Sequence, residues 1–494
     1  MKKVINISLL IFLFFSFFLF YFAYQNFSGN KIFYVFFSII SYFSIFFSFR
    51  KNGFFLEKFL TIYLWLGFWL KFSLYQGFLM DNPPAYAFGN FDFSNKSLNK
   101  LMLTSSLPYL SISASSFFIG RLNFLKTSLN NELLSKFYQN YKYVIISFLI
   151  FLIFLISLTN FKFGIYQKGL ISEMDLPYII SGFYKWYYLM GTGVILSILL
   201  NFELKNNNKI SNKLYLILIF ENFISNFTLL SRAMIFNISS IFFGIYKSLS
   251  FINFNKKEYS KLFLYYILTS IIFIFLVSSV NKVREASYFS EKKIKLENKE
   301  ILDKAGIKSS ESNYNILEKN YLIIDRAYKI IQLVYIRFVG IESLMAVSSY
   351  DELNFKNFQE AFDEKIDYSN YNHYFLKYAL LQKNNSNEIF KEDQKDLKKS
   401  QYTIHVPGIV AFLYYSGSNI FLFFSLTILI SIFYFLERFV FYSSSGNLIL
   451  TAFISHIICY RLIHFGYVPA QSYLFFGSLL FTIFIIFIIH RFLK

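Results

Sequence analysis

At 494 residues the chain has the length of two or three soluble domains, but 55% hydrophobic and only 16% charged residues, with a mean hydropathy of +0.45, exclude that class. One cysteine (Cys459), six prolines and no internal repeat exclude a disulfide scaffold, a zinc ribbon and a solenoid. The net charge of +19 points toward nucleic acid only until its distribution along the chain is read.

A membrane-crossing helix needs about 20 mostly apolar residues. Apolar runs of that kind lie near 4–24, 32–49, 58–79, 101–120, 141–159, 178–202, 212–230, 233–250, 261–280, 418–436, 447–463 and 472–490. The first follows Met1-Lys2-Lys3 as a signal peptide would, yet Tyr21-Phe22-Ala23-Tyr24-Gln25 offers no small-residue cleavage site, so it reads as a retained helix. The fold class is therefore all-α and polytopic, with about twelve transmembrane helices. Its regions are a nine-helix membrane part (1–280), an insert (281–404) and a three-helix membrane part (405–494).

The insert holds 20 Lys/Arg and 19 Asp/Glu, so nearly all of the basic excess lies elsewhere. If the N-terminus is cytoplasmic, 19 of the remaining 28 basic residues fall at cytoplasmic ends, among them Arg50, Lys51, Arg121, Lys126, Lys205, Lys256 and Arg438. Six fall in short outer loops: Lys31, Lys96, Lys100, Lys162, Lys168 and Arg232. This is the positive-inside bias. It places both termini in the cytoplasm and 281–404 outside, as one large, mainly helical periplasmic insert. The basic excess reports topology; no nucleic-acid partner is implied.

The cytoplasmic loops are short, and the longest, about 121–141, contains neither a Walker-type phosphate loop nor a Gly-rich dinucleotide turn. Chemistry then belongs to the outer face, where a donor arrives already activated, as a lipid-linked diphosphate does.

Charged and polar residues within or beside the apolar runs are the candidate functional groups. Lys71 lies in the third run; Glu221, with Asn222, Ser225 and Asn226, lies in the seventh. A buried ionisable group usually faces a partner or a wet cavity. A Glu221–Lys71 bridge is the structural expectation, and a proton-coupled or substrate role the functional one. Glu221 and Arg232 are 11 residues apart and share one face if the helix continues. Arg232, in Leu229-Leu230-Ser231-Arg232-Ala233, occupies a tight outer connection against the charge bias, where its guanidinium fork suits a diphosphate. In the insert, 314–347 has a long apolar helical pattern broken by Asp325, Arg326, Lys329 and Arg337. That pattern predicts a helix on the outer membrane surface, with Arg326 and Arg337 about 16 Å apart on one face. Stretches 281–310 and 383–400 read as exposed helices or loops. His373, His405 and His464, the last one turn from Arg461, converge on the outer side, where one would serve as general base. No His/Cys/Asp cluster has metal-ligand spacing, and neither a metal nor another cofactor is expected.

Three stretches resemble those of bacterial O-antigen and oligosaccharide-repeat-unit polymerases (Wzy-type), which are related to O-antigen ligases. They are Ser231-Arg232; Arg337-Phe338-Val339-Gly340-Ile341-Glu342 with Ala346-Val347-Ser348-Ser349-Tyr350; and Pro407-Gly408-Ile409-Val410-Ala411-Phe412-Leu413-Tyr414-Tyr415-Ser416-Gly417-Ser418. The His-Asn pair common in ligase loops is reversed here, as Asn372-His373. The resemblance implies glycosyl transfer from a polyprenyl-diphosphate-linked glycan to another lipid-linked repeat unit, and is compatible with a GT-C-like architecture. It implies catalytic roles for Arg232, Arg337, His373 and His405, and substrate-binding roles for Arg284, Arg326, Glu342, Arg461 and His464. Lipid-linked oligosaccharides, membrane lipids, a flippase and a chain-length regulator are the implied partners. A lipid-linked oligosaccharide flippase is the competing class, against which the large one-sided insert and the lack of duplicated halves both count. A sensor or scaffold is a third. A polyprenyl-phosphate-sugar transferase would carry a carboxylate in the first outer loop, and Gln25–Lys31 has none.

Overall fold

A computed structural model describes residues 2–50, 53–79, 88–120, 132–168, 174, 176–207, 209–231, 234–251, 256–304, 339–350, 353–364, 375, 406–466 and 469–492, with side chains omitted at 2–11, 132, 234, 251, 256 and 284–304. Each of the apolar runs falls on helix, and no strand occurs among the described residues. Six helical stretches are long and apolar enough to cross a membrane: Lys31–Ser48, Leu133–Phe163, Tyr178–Asn207, Lys257–Val283, Asn419–Ser443 and Pro469–Arg491. The third run carries Lys58 and Lys71, and the fourth is rich in serine.

The helices are inside out relative to those of a soluble protein. Helix α2 (Lys31–Ser48) buries Tyr34, Phe37, Ser38, Ser41, Ser44 and Ser48, while Ile32 is 73% exposed and Ile39 63%. Serines inward and large apolar groups outward suit a lipid surround, because small residues let helix backbones approach closely.

The chain divides into two compact units. The first comprises Met1–Leu129, Gln332–Gly446 and Ile454–Phe492. It contains α1 (Lys2–Asn26), α2, and a helix that starts as α3 (Phe55–Leu64) and runs on through π1 (Trp65–Leu70), α4 (Lys71–Leu74) and π2 (Tyr75–Leu79). It continues with α5 (Asn95–Ile119) and the second unit intervenes. That unit, Asn130–Ile331 with Asn447–Phe453 and Leu493–Lys494, carries α6 (Glu132–Phe163), α7 (Tyr178–Trp186), π3 (Tyr187–Gly191), α8 (Thr192–Asn207), α9 (Asn212–Thr228), α10 (Met234–Phe251) and α11 (Lys256–Lys304). The first unit resumes with α12 (Ile341–Ser348), α13 (Phe355–Phe362), α14 (Gly408–Tyr414), α15 (Asn419–Ser443), most of α16 (Leu448–Ile463) and α17 (Pro469–Phe492).

Side-chain caps fix several helix starts: Asn30 accepts from Ile32 N–H at 3.0 Å, Ser94 from Ser97 N–H at 3.3 Å and Ser418 from Phe421 N–H at 3.2 Å. Helix α3 is capped from a distance. The Glu437 carboxylate of α15 accepts from Phe55 N–H at 2.7 Å, Leu56 N–H at 2.8 Å and the Ser455 hydroxyl at 3.0 Å. A buried carboxylate is satisfied there by the donors a helix N-terminus leaves over.

Two sequence expectations change. Helix α11 is continuous for 49 residues, about 73 Å at 1.5 Å per residue, so no break separates the ninth apolar run from the start of the insert. The helix expected over 314–347 does not run through: Val339 and Gly340 are non-helical and α12 begins at Ile341. The cause is a backbone crossing. A Cβ on Gly340 would meet the Gly67 carbonyl, and one on Gly67 would meet the Val339 carbonyl, so the chain passes across π1 at a point where only two glycines fit. Residues 305–338, with Asp325, Arg326, Lys329 and Arg337, lie outside the described residues.

Candidate functional site at the flanks of the insert

The two flanks of the insert fold as short helices at the centre of the first unit. Every residue from Ile341 to Val347 is buried, as is every residue from Gly408 to Tyr414. Helix α12 packs on α14, α5 and π1, and the Ser343 hydroxyl donates to the Val406 carbonyl at 2.8 Å. Gly408, at φ +69°, opens α14 and donates its N–H to the Phe465 carbonyl at 2.9 Å. An L side chain is disfavoured at that φ, and a Cβ there would lie 2.8 Å from the Ile463 carbonyl. The two insert-flank stretches that carry the polymerase resemblance are thus packed against each other.

Helix α12 carries one half of a buried ion pair. The Lys71 ammonium donates to Glu342 Oε1, and the two side chains are 2% and 4% exposed. Lys71 stands between two π turns, Trp65–Leu70 and Tyr75–Leu79, which are insertions into helical geometry that gather at functional sites. Coulomb attraction in a low-dielectric interior holds the pair, and each charge is costly if the other is removed. This corrects the expected Glu221–Lys71 bridge. Glu221 is satisfied within α9 instead, accepting from the Ser225 hydroxyl at 2.8 Å and from Asn222 Nδ2 at 3.0 Å.

Further polar atoms are buried on the elements that carry this pair. Glu342 Oε2 and both amide atoms of Gln76, a residue 1% exposed, are buried without a hydrogen-bond partner among the described residues. The Ser349 hydroxyl accepts from Asn90 N–H at 3.1 Å, tying the end of α12 to the aromatic segment 88–93. In that segment Phe88 and Phe93 pack on Tyr75, with ring centroids 5.0 and 5.7 Å away. Hydrogen bonds from Ser97 and Ser94 hold the Asp92 carboxyl below its ordinary range, so it stays charged there.

Of the nine residues given catalytic or substrate-binding roles, Glu342, Arg461 and His464 have described side chains, all in the first unit. Arg461, in the last turn of α16, lies over the Phe475 ring at 5.5 Å. His464 stacks on Tyr460 at 4.2 Å and its Nδ1 lies 2.9 Å from the Tyr460 carbonyl. Arg232, Arg326, Arg337, His373 and His405 lie outside the described residues, and of Arg284 only the backbone, in α11, is described. The connection leading to Arg232 is well defined. Helix α9 stops at Thr228; Leu230 takes φ +51° and Ser231 N–H bonds back to the Asn226 carbonyl at 2.8 Å, a Schellman-type closure. Glu221 and Arg232 therefore do not share a continuous helical face. Asn160 braces this turn, donating to the carbonyls of Thr228 at 3.2 Å and Tyr166 at 3.1 Å.

One group escaped the sequence reading. His456, in the middle of α16, is 2% exposed and meets the Tyr63 hydroxyl through Nε2 at 2.8 Å, while its Nδ1 has no hydrogen-bond partner among the described residues. Its central place in an apolar run was the available signal. Among the described residues no three His, Cys, Asp or Glu side chains are grouped to hold a metal ion.

No protein-family model, no curated protein and no solved structure matches the chain. Function has to be read from its residues and their geometry.

Proposed function

We propose that this protein polymerises lipid-linked oligosaccharide repeat units at the outer face of the bacterial cytoplasmic membrane, in surface-polysaccharide biosynthesis. The observation that carries the reading is the packing of α12, which bears Glu342 of the Lys71–Glu342 pair, on α14; it makes one buried structure from the two insert flanks that resemble polymerases. The basic-residue distribution supports a twelve-span chain with cytoplasmic termini and an outer insert.

In the proposed reaction an acceptor hydroxyl attacks the anomeric carbon of the donor glycan. The new glycosidic bond forms as the anomeric carbon–oxygen bond to the diphosphate breaks, and the polyprenyl diphosphate leaves. Arg232 and Arg337 neutralise the charge growing on that leaving group, and His373 or His405 takes the acceptor proton. Arg284, Arg326, Arg461 and His464 bind the two lipid-linked glycans.

Two cell experiments test this. Deleting the gene should leave single repeats on the carrier lipid in place of polymer; unchanged polymer would end the proposal. A cysteine replacing Lys356, whose side chain is 82% exposed, should react with an impermeant thiol reagent in intact spheroplasts. Cys459→Ser makes the background silent, since Cys459 is the one native cysteine. Labelling only after lysis would put the insert on the wrong side for outer-face chemistry.

A further inference from the structure

Helix α13 has a surface of three sectors. At 100° per residue Phe355, Phe358 and Phe362 fall within about 60° of one another; Lys356, Gln359 and Glu360 occupy the next arc, and Asn357 and Ala361 the remaining one. Asn357 and Ala361 are buried, which turns their sector to the protein. Phe358 is half-buried, with ring centroids 5.8 Å from Phe412 and 5.1 Å from Phe421. Phe355 is 59% exposed and Phe362 45%, although both share the face of Phe358. Two large bare rings on one side of a helix, beside a polar side, mark a contact surface.

The position of the helix says what it contacts. Phe355 packs on Phe421, the third residue of α15, at 5.6 Å, and Phe362 on Tyr473, the fifth residue of α17, at 5.3 Å. The Tyr473 hydroxyl also donates to the Phe362 carbonyl at 3.1 Å. Helices α15 and α17 are both long and apolar enough to cross a membrane. The two ends of α13 therefore rest on the first turns of two spans, and its axis runs across them, at the level where they enter the bilayer. Beside these contacts Ile420 and Leu474 are exposed, so the apolar surface of both spans reaches the level of α13. The polar arc has Lys356 against Glu360, with Asp363 just beyond, and no basic excess that would suit anionic headgroups. We propose that α13 lies in the plane of the membrane interface, with Phe355 and Phe362 among the acyl chains just below the headgroups and Lys356, Gln359 and Glu360 in water. Its partner is the acyl boundary of the bilayer, which holds this part of the insert on the membrane surface, at the outer leaflet in the topology given above.

The test uses the full-length protein in phosphatidylcholine vesicles, with Phe355→Cys, Lys356→Cys, Glu360→Cys and Phe362→Cys made one at a time in a Cys459→Ser background and labelled with bimane. Iodide in the water and a nitroxide on the lipid acyl chain are the two quenchers. At Phe355→Cys and Phe362→Cys the nitroxide should remove most of the emission and iodide little; at Lys356→Cys and Glu360→Cys the order should reverse. Iodide quenching as strong at 355 and 362 as at 356 and 360 puts the rings in water and overturns the proposal. Protection of 355 and 362 from both quenchers overturns it too, because protein then covers the rings. Nitroxide quenching at all four positions overturns the in-plane arrangement, because the helix is then sunk in the bilayer. Added phosphatidylglycerol should leave the pattern unchanged; lipid contact that appears only with this anionic lipid would replace acyl chains by headgroups and overturn the proposal. If a cysteine variant does not reach the membrane, Phe355→Trp and Phe362→Trp keep a ring in place. Brominated lipid should then quench more of their emission than of the wild type's, which comes from Trp65, Trp69 and Trp186, and no added quenching overturns the proposal equally.

Discussion

Replacing Lys71 by Met, or Glu342 by Met, is expected to cost about 3–5 kcal/mol of stability, because either change leaves the opposite buried charge without its counter-ion. The double variant Lys71→Met/Glu342→Met should recover most of that loss, since two apolar side chains of similar length ask for no partner. The two positions are 271 residues apart in sequence, so a coupling energy between them also reports that the insert flank is docked on the third apolar run. Thermal unfolding of the four proteins in one detergent gives the cycle. Single variants as stable as wild type would show that the pair is open in the membrane-extracted protein.

The second large effect is expected at the arginines. A charge-assisted contact to a diphosphate is worth about 1.5–3 kcal/mol, or roughly 10- to 150-fold in turnover, and more if it tightens as the diphosphate leaves. Arg232→Ala and Arg337→Ala should each shorten the glycan by at least that drop in rate. Arg232→Lys should fall between Arg232→Ala and wild type, because lysine keeps the charge and loses the fork. Lys356→Ala, on the exposed face of α13, should be silent. Chain length is read from cells complemented at matched membrane expression. Full-length polymer from both alanine variants would remove the diphosphate clamp and favour a transporter or scaffold.

How far the fold was legible follows from what each signal reports. Among the described residues, apolar length located the long helices, because a lipid-facing helix announces itself in composition. Ser231 and the turn before Arg232 were recognisable from Leu229-Leu230-Ser231, but the helix end there was not, since Leu230 adopts a left-handed conformation that sequence reserves for glycine or asparagine. The partner of Lys71 was misread for a different reason. Charge balance within the apolar runs offered only Glu221, whereas the true partner sits in a motif of the insert that composition assigned to the aqueous side. Gly67 and Gly340 were likewise invisible as a pair: each looks ordinary in sequence, and only the backbone crossing requires both. Glu342 was singled out through the resemblance, and its burial against Lys71 supplies a physical reason for the motif.

Polymerisation by the protein alone is the central claim, and reconstitution tests it most directly. The purified chain is placed in liposomes with the lipid-linked single repeat unit, without nucleotide sugar, and the products are resolved by size. The proposal predicts a ladder of repeats on the carrier lipid, with one polyprenyl diphosphate released for each bond formed. Lipid-linked single repeats that remain unextended, whether or not they cross the bilayer, would contradict it.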